Sequence, residues 1–355
     1  MAKNLVICCD GTWNRADQPN RTNVAKVALA VRGRSATGME QRLYYHSGVG
    51  TSPGERLRGG AFGFGLSRNV IDAYRFLVST FEPGDLLYLF GFSRGAYTAR
   101  SLAGLVRNSG ILRPDSSGRV GDAWDLYRNR TEKPSETASV LFRRAYAYET
   151  EIRFMGVWDT VGSLGIPVPA PNLLRPLAKL VNSRWAFHDT TLSSWVNGAF
   201  HALAVDEKRR AFEPTLWNQQ PDAVSKGQEL KQVWFTGVHV DIGGGYPDTS
   251  LSDLTLRWMT DQAIRYGLEL DDTKLPTPPP RPMGELHNSR TKLFRLTRPL
   301  HRPIGKEKDG CEYLAATAKQ RYDGDTGYRP PGLVTYLRDF GGGRTDPKDP
   351  PTPGE

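Results

Sequence analysis

Leu86-Leu-Tyr-Leu-Phe90-Gly91-Phe-Ser93-Arg-Gly95-Ala-Tyr-Thr-Ala-Arg100 is the stretch whose reading decides the fold. Its first five residues form an unbroken apolar run, too uniformly hydrophobic for a strand with one wet face and suited to a parallel strand buried on both. A Gly-x-Ser-x-Gly pentapeptide follows. Then apolar residues recur at Ala99, Leu102, Ala103, Leu105 and Val106, a helical spacing that predicts a helix from about Ala96 to Asn108, closed by Gly110. Strand, sharp turn and helix in that order are the setting a nucleophile elbow requires. Gly91 and Gly95 have a physical task in it. Where the turn brings helix hard against strand there is no room for a Cβ, and the serine Oγ is pushed out above the sheet. The helix N-terminus beneath it presents backbone N–H groups to developing negative charge. The plain alternative is a Gly-rich turn whose serine caps the helix.

Outward from this stretch, short apolar or β-branched runs recur at Leu5–Cys9, Arg42–Tyr45, Ile152–Val157 and Gln232–Val238. Helical spacing lies between several of them, as at Val70, Ile71, Tyr74, Leu77 and Val78. Strand alternating with helix predicts an α/β fold, a mostly parallel sheet flanked by helices, and the elbow motif within it makes the expected fold α/β-hydrolase-like. The spacing of Leu192, Trp195, Val196, Ala199 and Leu203 predicts a further amphipathic helix. On that helix His201 would lie opposite the apolar stripe. One catalytic domain over 1–340 is expected, with helical insertions over the active site at about 163–230 and 255–340. The Pro-rich Leu275–Pro282 reads as a rigid loop, and the polar end 344–355 as a disordered tail.

A serine hydroxyl needs a base, and the base needs an acid to hold its tautomer. In an α/β hydrolase these follow the serine in the order acid, histidine, each at the carboxyl end of a strand. Asp159 stands just beyond Ile152–Val157, in Trp158-Asp-Thr-Val-Gly162, and is the expected acid. His239 stands just beyond Gln232–Val238, in His239-Val-Asp241-Ile-Gly-Gly-Gly-Tyr246, and is the expected base. His201 is the alternative base. The first strand ends in Asp10-Gly11-Thr12-Trp-Asn14, an early loop of the kind that supplies one oxyanion N–H; Gly11 or Thr12 is the candidate donor there, and Arg94 is the second. Asp10 would orient this loop or share a cation with Asp241.

Composition bounds the rest. The 355 residues are 38% hydrophobic and 24% charged, enough for a substantial core and too many for a mini-protein scaffold. No window approaches the ~20 consecutive apolar residues of a membrane span. Leu5–Cys9 is too short for a signal-peptide core, and three cysteines give no disulfide framework, so a cytoplasmic setting is expected, with signal-independent export compatible with it. The net charge of +9 favours anionic partners, including a peripheral anionic membrane surface, and Arg94 and Arg100 are candidates for attracting anionic head groups. Because the basic excess is scattered, nucleic-acid binding is not expected.

Six ordered blocks make the pattern more specific: Cys9–Asn14, Gly48–Thr51, Gly91–Arg100, Gly156–Gly162, His201–Arg209 and Gly237–Tyr246. Together they resemble the DUF2235 α/β-hydrolase family, which includes phospholipase effectors of bacterial type VI secretion. The resemblance spans about residues 4–335, little more than the hydrolase core. It implies Ser93 as nucleophile, Asp159 as acid and His239 as base, in agreement with the reading from strand ends. The expected activity is therefore serine hydrolysis of carboxylic acyl esters, with a lipid or phospholipid substrate and no cofactor. Two alternatives stand beside it. One is a metal-dependent phosphoesterase on Asp10, Asp159 and Asp241; the other is a non-catalytic binding module on the same scaffold.

Overall fold

Strand β1 (Asn4–Cys9) is buried along its whole length, and its residues alternate between two separate cores. Leu5, Ile7 and Cys9 face one; Val6 and Cys8 face the other. This is what an unbroken apolar run demands, since a strand covered on both faces has no polar side to display. The computed structural model describes residues 2–11, 14, 18–48, 61–129, 131–162, 191–276, 281–291, 294–295, 298–306 and 311–341, without the side chains of 61–64. Thr12, residues 277–280 of the Pro-rich loop, the expected tail at 344–355 and 163–190 of the first expected insertion lie outside the described residues.

Around β1 run β2 (Gln41–His46), β3 (Leu86–Phe92), β6 (Ile152–Trp158), β7 (Val196–Ala204), β8 (Glu229–Phe235) and β9 (Glu312–Leu314), in the order β2-β1-β3-β6-β7-β8-β9. Every neighbouring pair is parallel. The two-residue strands β4 (Ile111–Leu112) and β5 (Ala147–Tyr148) form a separate antiparallel ladder. Helices α2 (Ala61–Thr80) and α3 (Arg94–Ser109) cover one face, packing Tyr74, Leu77, Leu102 and Val106 against Leu87 and Leu89. Helix α1 (Asn23–Ala30) and the Ser250–Arg265 helix cover the other, with Val24, Val27, Leu256 and Met259 against Tyr88, Phe90 and Phe154. The fold is thus the expected α/β sandwich. The expected second insertion is woven into it, because β9 pairs with β8.

One expectation is overturned. Residues 196–204 are strand β7, not helix, and β7 lies between β6 and β8. A central strand needs apolar residues on both faces, and Val196, Ala199, Phe200, Ala202 and Leu203 supply them. The helical spacing read there is the accidental subset of a run buried on every side.

With all strands pointing one way, their carboxyl ends share one rim. The chain enters the sheet at β1, adds β2 on one side and β3 on the other, so the rim between β1 and β3 is a topological switch point, the usual crevice for ligands in open α/β sheets. Asp10 and Ser93 flank it directly.

Candidate active site

Ser93 sits between β3 and α3 with φ 57° and ψ −119°, a conformation that costs a non-glycine residue on the order of 1–3 kcal/mol. Its backbone N–H donates to Trp158 O at 3.0 Å, which ties the turn to β6. The two glycines leave no choice of residue: a Cβ on Gly91 would lie 2.6 Å from Ala96 Cα, and one on Gly95 would lie 2.0 Å from Cys9 O and 2.5 Å from Asp10 O. Both obstacles are backbone, so nothing flexible gives way. Gly95→Ala is expected to cost more than the ~1–3 kcal/mol of ordinary overpacking, as a urea unfolding series would measure.

Asp159 follows β6 in a left-handed conformation, φ 39°, and is fully buried. Its Oδ1 accepts from Ala204 N–H at 3.1 Å and from Arg302 Nη1 at 2.6 Å. Its Oδ2 accepts from Arg302 Nη2 at 3.0 Å and from His239 Nδ1 at 2.6 Å. Burial by itself would raise this carboxyl, but the Arg302 charge and then the His239 hydrogen bond outweigh it and hold the group well below the ordinary carboxylate range. An ionised carboxylate has no proton to give, so His239 carries its proton on Nδ1 and turns an Nε2 lone pair toward Ser93 Oγ, 2.8 Å away.

His239 does not end a strand. β8 stops at Phe235, and His239 opens a short helix, His239–Gly243, after the bend Thr236-Gly-Val238. Its ring lies between two aromatic rings, Phe92 at 4.7 Å and Phe212 at 4.8 Å between centroids. Burial depresses its proton affinity below the usual imidazole value, opposed by the neighbouring Asp159. The three side chains placed by strand order therefore meet in one hydrogen-bonded row.

The other candidates fall elsewhere. His201, on β7, has no solvent exposure; its Nε2 accepts from Thr160 N–H at 3.0 Å and its ring meets Trp217 edge-on. Burial, and next the Arg100 charge, push it down to about 3, so it is a neutral core histidine. Asp10 gathers three donors: Gly11 N–H at 2.6 Å, Thr22 Oγ1 at 2.7 Å and Tyr45 OH at 2.7 Å. That arrangement organises the loop, but it also occupies the Gly11 N–H, which the sequence offered as an oxyanion donor. Arg94 is the first residue of α3, with its backbone at the helix N-terminus beside Ser93. Asp241 is directed to His287 Nδ1 at 2.7 Å and Val238 N–H at 3.0 Å. Asp10, Asp159 and Asp241 thus each serve a different set of donors, and among the described residues no three His, Cys, Asp or Glu side chains converge as metal ligands. Arg100 is buried; it donates to Thr215 O and stacks over Trp217, so it is no surface receptor for head groups.

Arg302 and Phe212 are the members that sequence reasoning missed. Arg302 comes from an irregular segment 143 positions away from Asp159, where neither periodicity nor motif marks it. Glu207, whose Oε2 accepts from His239 N–H at 3.3 Å, did lie inside a quoted block, two residues before Arg209, the arginine it pairs with.

A family model described as the T6SS phospholipase effector Tle1-like catalytic domain matches residues 3–262. The chain belongs to this family. As a Tle1-like catalytic domain it has Ser93, Asp159 and His239 inside the matched stretch and Arg302 beyond it. An uncharacterized protein of Saccharomyces cerevisiae is 26% identical over 394 residues, covering 75% of this chain and 58% of its own length. Among solved structures, an uncharacterized Pseudomonas aeruginosa protein is similar at 18% identity and TM-score 0.45, covering 78% of this chain and 48% of that one. The Tle1 effector bound to the VgrG spike of the type 6 secretion system is similar at 15% identity and TM-score 0.39, covering 78% and 76%. The Tle1-like chain therefore spans about half the length of the yeast and Pseudomonas proteins. Among its described residues no helix is long and apolar enough to cross a membrane.

Proposed function

We propose that this chain is a serine hydrolase of carboxylic acyl esters, with phospholipids as its substrate class. The observation that carries the proposal is the unbroken row Ser93 Oγ, His239 Nε2, His239 Nδ1, Asp159 Oδ2, with steps of 2.8 and 2.6 Å, ending on a strained elbow serine. In this reading His239 takes the Ser93 proton as Oγ attacks the acyl carbon, and Asp159 stabilises the imidazolium that forms. The tetrahedral oxyanion lies over the α3 N-terminus, where Arg94 N–H is the donor. His239 then returns the proton to the leaving alcohol, and a water activated the same way releases the acid and frees Ser93.

The phospholipid class rests on the family description. The net charge of +9 is consistent with work at an anionic lipid surface, and export as a type VI effector belongs to the same proposal.

A fluorophosphonate probe tests the chemistry, because only an activated serine attacks it. Labelling is expected at Ser93, and release of fatty acid from phosphatidylglycerol vesicles is expected to survive EDTA. Absence of labelling would leave a binding module; loss of activity in EDTA would revive a metal-dependent reaction. Since the base works only when neutral and burial lowers its proton affinity, kcat/KM should rise with pH through a midpoint below the ordinary histidine value of about 6.5.

A further inference from the structure

We propose that Arg302 is a positioning residue of this site, one that clamps the triad acid as a charged acceptor and makes the Asp159–His239 pair resist protonation. The inference rests on the reading above and deepens it. Arg302 lies outside residues 3–262, so the acid draws its counter-charge from chain beyond the matched catalytic domain.

The geometry is that of a fork. Nη1 and Nη2 each reach one carboxylate oxygen of Asp159, at 2.6 and 3.0 Å, and both side chains are fully buried. Each of these two nitrogens also donates to the backbone, Nη1 to Ala204 O at 2.8 Å and Nη2 to Phe212 O, while Nε is buried without a hydrogen-bond partner among the described residues. A single guanidinium thus holds the acid, the end of β7 and the residue whose ring walls the base. Only a planar, permanently charged group with several fixed donors serves all three at once.

The electrostatic consequence follows from counting charge. With Arg302 present, Asp159 is already neutralised when His239 is uncharged, and protonating His239 adds a net positive charge to a buried cluster. Without it, Asp159 would be a lone buried anion, and uptake of one proton by the pair would relieve it. The other groups facing the pair do not replace this charge. Glu207 beneath His239 is matched by Arg209 at 2.8 Å. His201 on β7 is a neutral acceptor for Thr160. Asp241, on the same helix as His239, is engaged by His287. Ser93 is uncharged.

The test compares the full chain with Arg302→Gln and Arg302→Lys. kcat/KM for a short-chain p-nitrophenyl ester is followed against pH, per site titrated by fluorophosphonate, with circular dichroism reporting the fold. For Arg302→Gln the acid midpoint is expected to move up by about one pH unit or more, with roughly a tenfold or larger loss per site. Arg302→Lys keeps the charge without the fork, so the midpoint should return toward the parent while the per-site rate stays low. An unmoved midpoint in a folded Arg302→Gln protein would overturn the proposal. If that variant does not fold, an unchanged per-site rate in Arg302→Lys overturns it, and a reduced rate at the parental midpoint supports it. A histidine NMR titration reads the same proton uptake without turnover. It therefore judges Arg302 even if the parent fails to label or hydrolyse, which would sink the hydrolase reading alone.

Discussion

Ser93→Ala is expected to lower kcat for ester hydrolysis by roughly 10⁴-fold or more while leaving the folded structure intact. The substitution removes one oxygen whose only described side-chain partner is His239 Nε2. The backbone of the turn is set by packing against β1 and α3 and keeps its left-handed conformation with either side chain. Unfolding free energy should therefore change by less than about 1 kcal/mol. Measured turnover of a p-nitrophenyl ester and of phospholipid vesicles, beside a urea unfolding curve, checks both halves. Activity equal to the parent's would remove Ser93 from the chemistry altogether.

Asp159→Asn is expected to strike both rate and stability. The carboxylate accepts from four donors, two of them on a guanidinium without solvent exposure. An amide in its place keeps one acceptor oxygen and turns an NH₂ toward either Arg302 or His239 Nδ1–H, where donor would face donor. The charge of Arg302 would be left buried and uncompensated, a loss of about 3–5 kcal/mol. A wrong imidazole tautomer adds a rate loss of about 10⁴. Because Asp159 is held below its ordinary carboxyl value, its contribution is complete above about pH 4 and fades as acid protonates the folded state. Denaturant midpoints should therefore hold a constant gap between variant and parent above about pH 4 and converge as the pH falls further below it. A gap that stays constant well below about pH 4 would mean that folding does not hold the Asp159 carboxyl below its ordinary value.

The parts of the site legible in the sequence are those whose chemistry is local. Gly91 and Gly95 declare a close approach of backbones, and Leu86–Phe90 declares the strand that feeds it; the observed α3 begins and ends within two residues of its expected span. Asp159 was placed by a strand end. His239 was found by the same rule, although the chain turns through Gly237 at φ 130° and delivers it from a helix. His201 and β7 were misread because a strand buried on both faces carries apolar residues at nearly every position, and some subset of them always matches a helical spacing. Gly11 was misassigned because Asp10 takes its N–H, a contact that sequence order alone does not reveal. Arg302 was invisible for a different reason: its partner is chosen by the folded path of an irregular segment and by no repeat or motif.

The all-parallel arrangement of the sheet has a bearing on how the molecule comes into being. No two neighbouring strands can be joined by a hairpin, so each pairing waits for a long crossover to close, and folding is governed by distant encounters. A ribosome releases the elbow long before it releases the arginine that completes the acid. The nascent chain thus carries its serine well ahead of its full complement of partners, and on the proposed mechanism ester-cleaving competence would be among the last properties the polypeptide acquires.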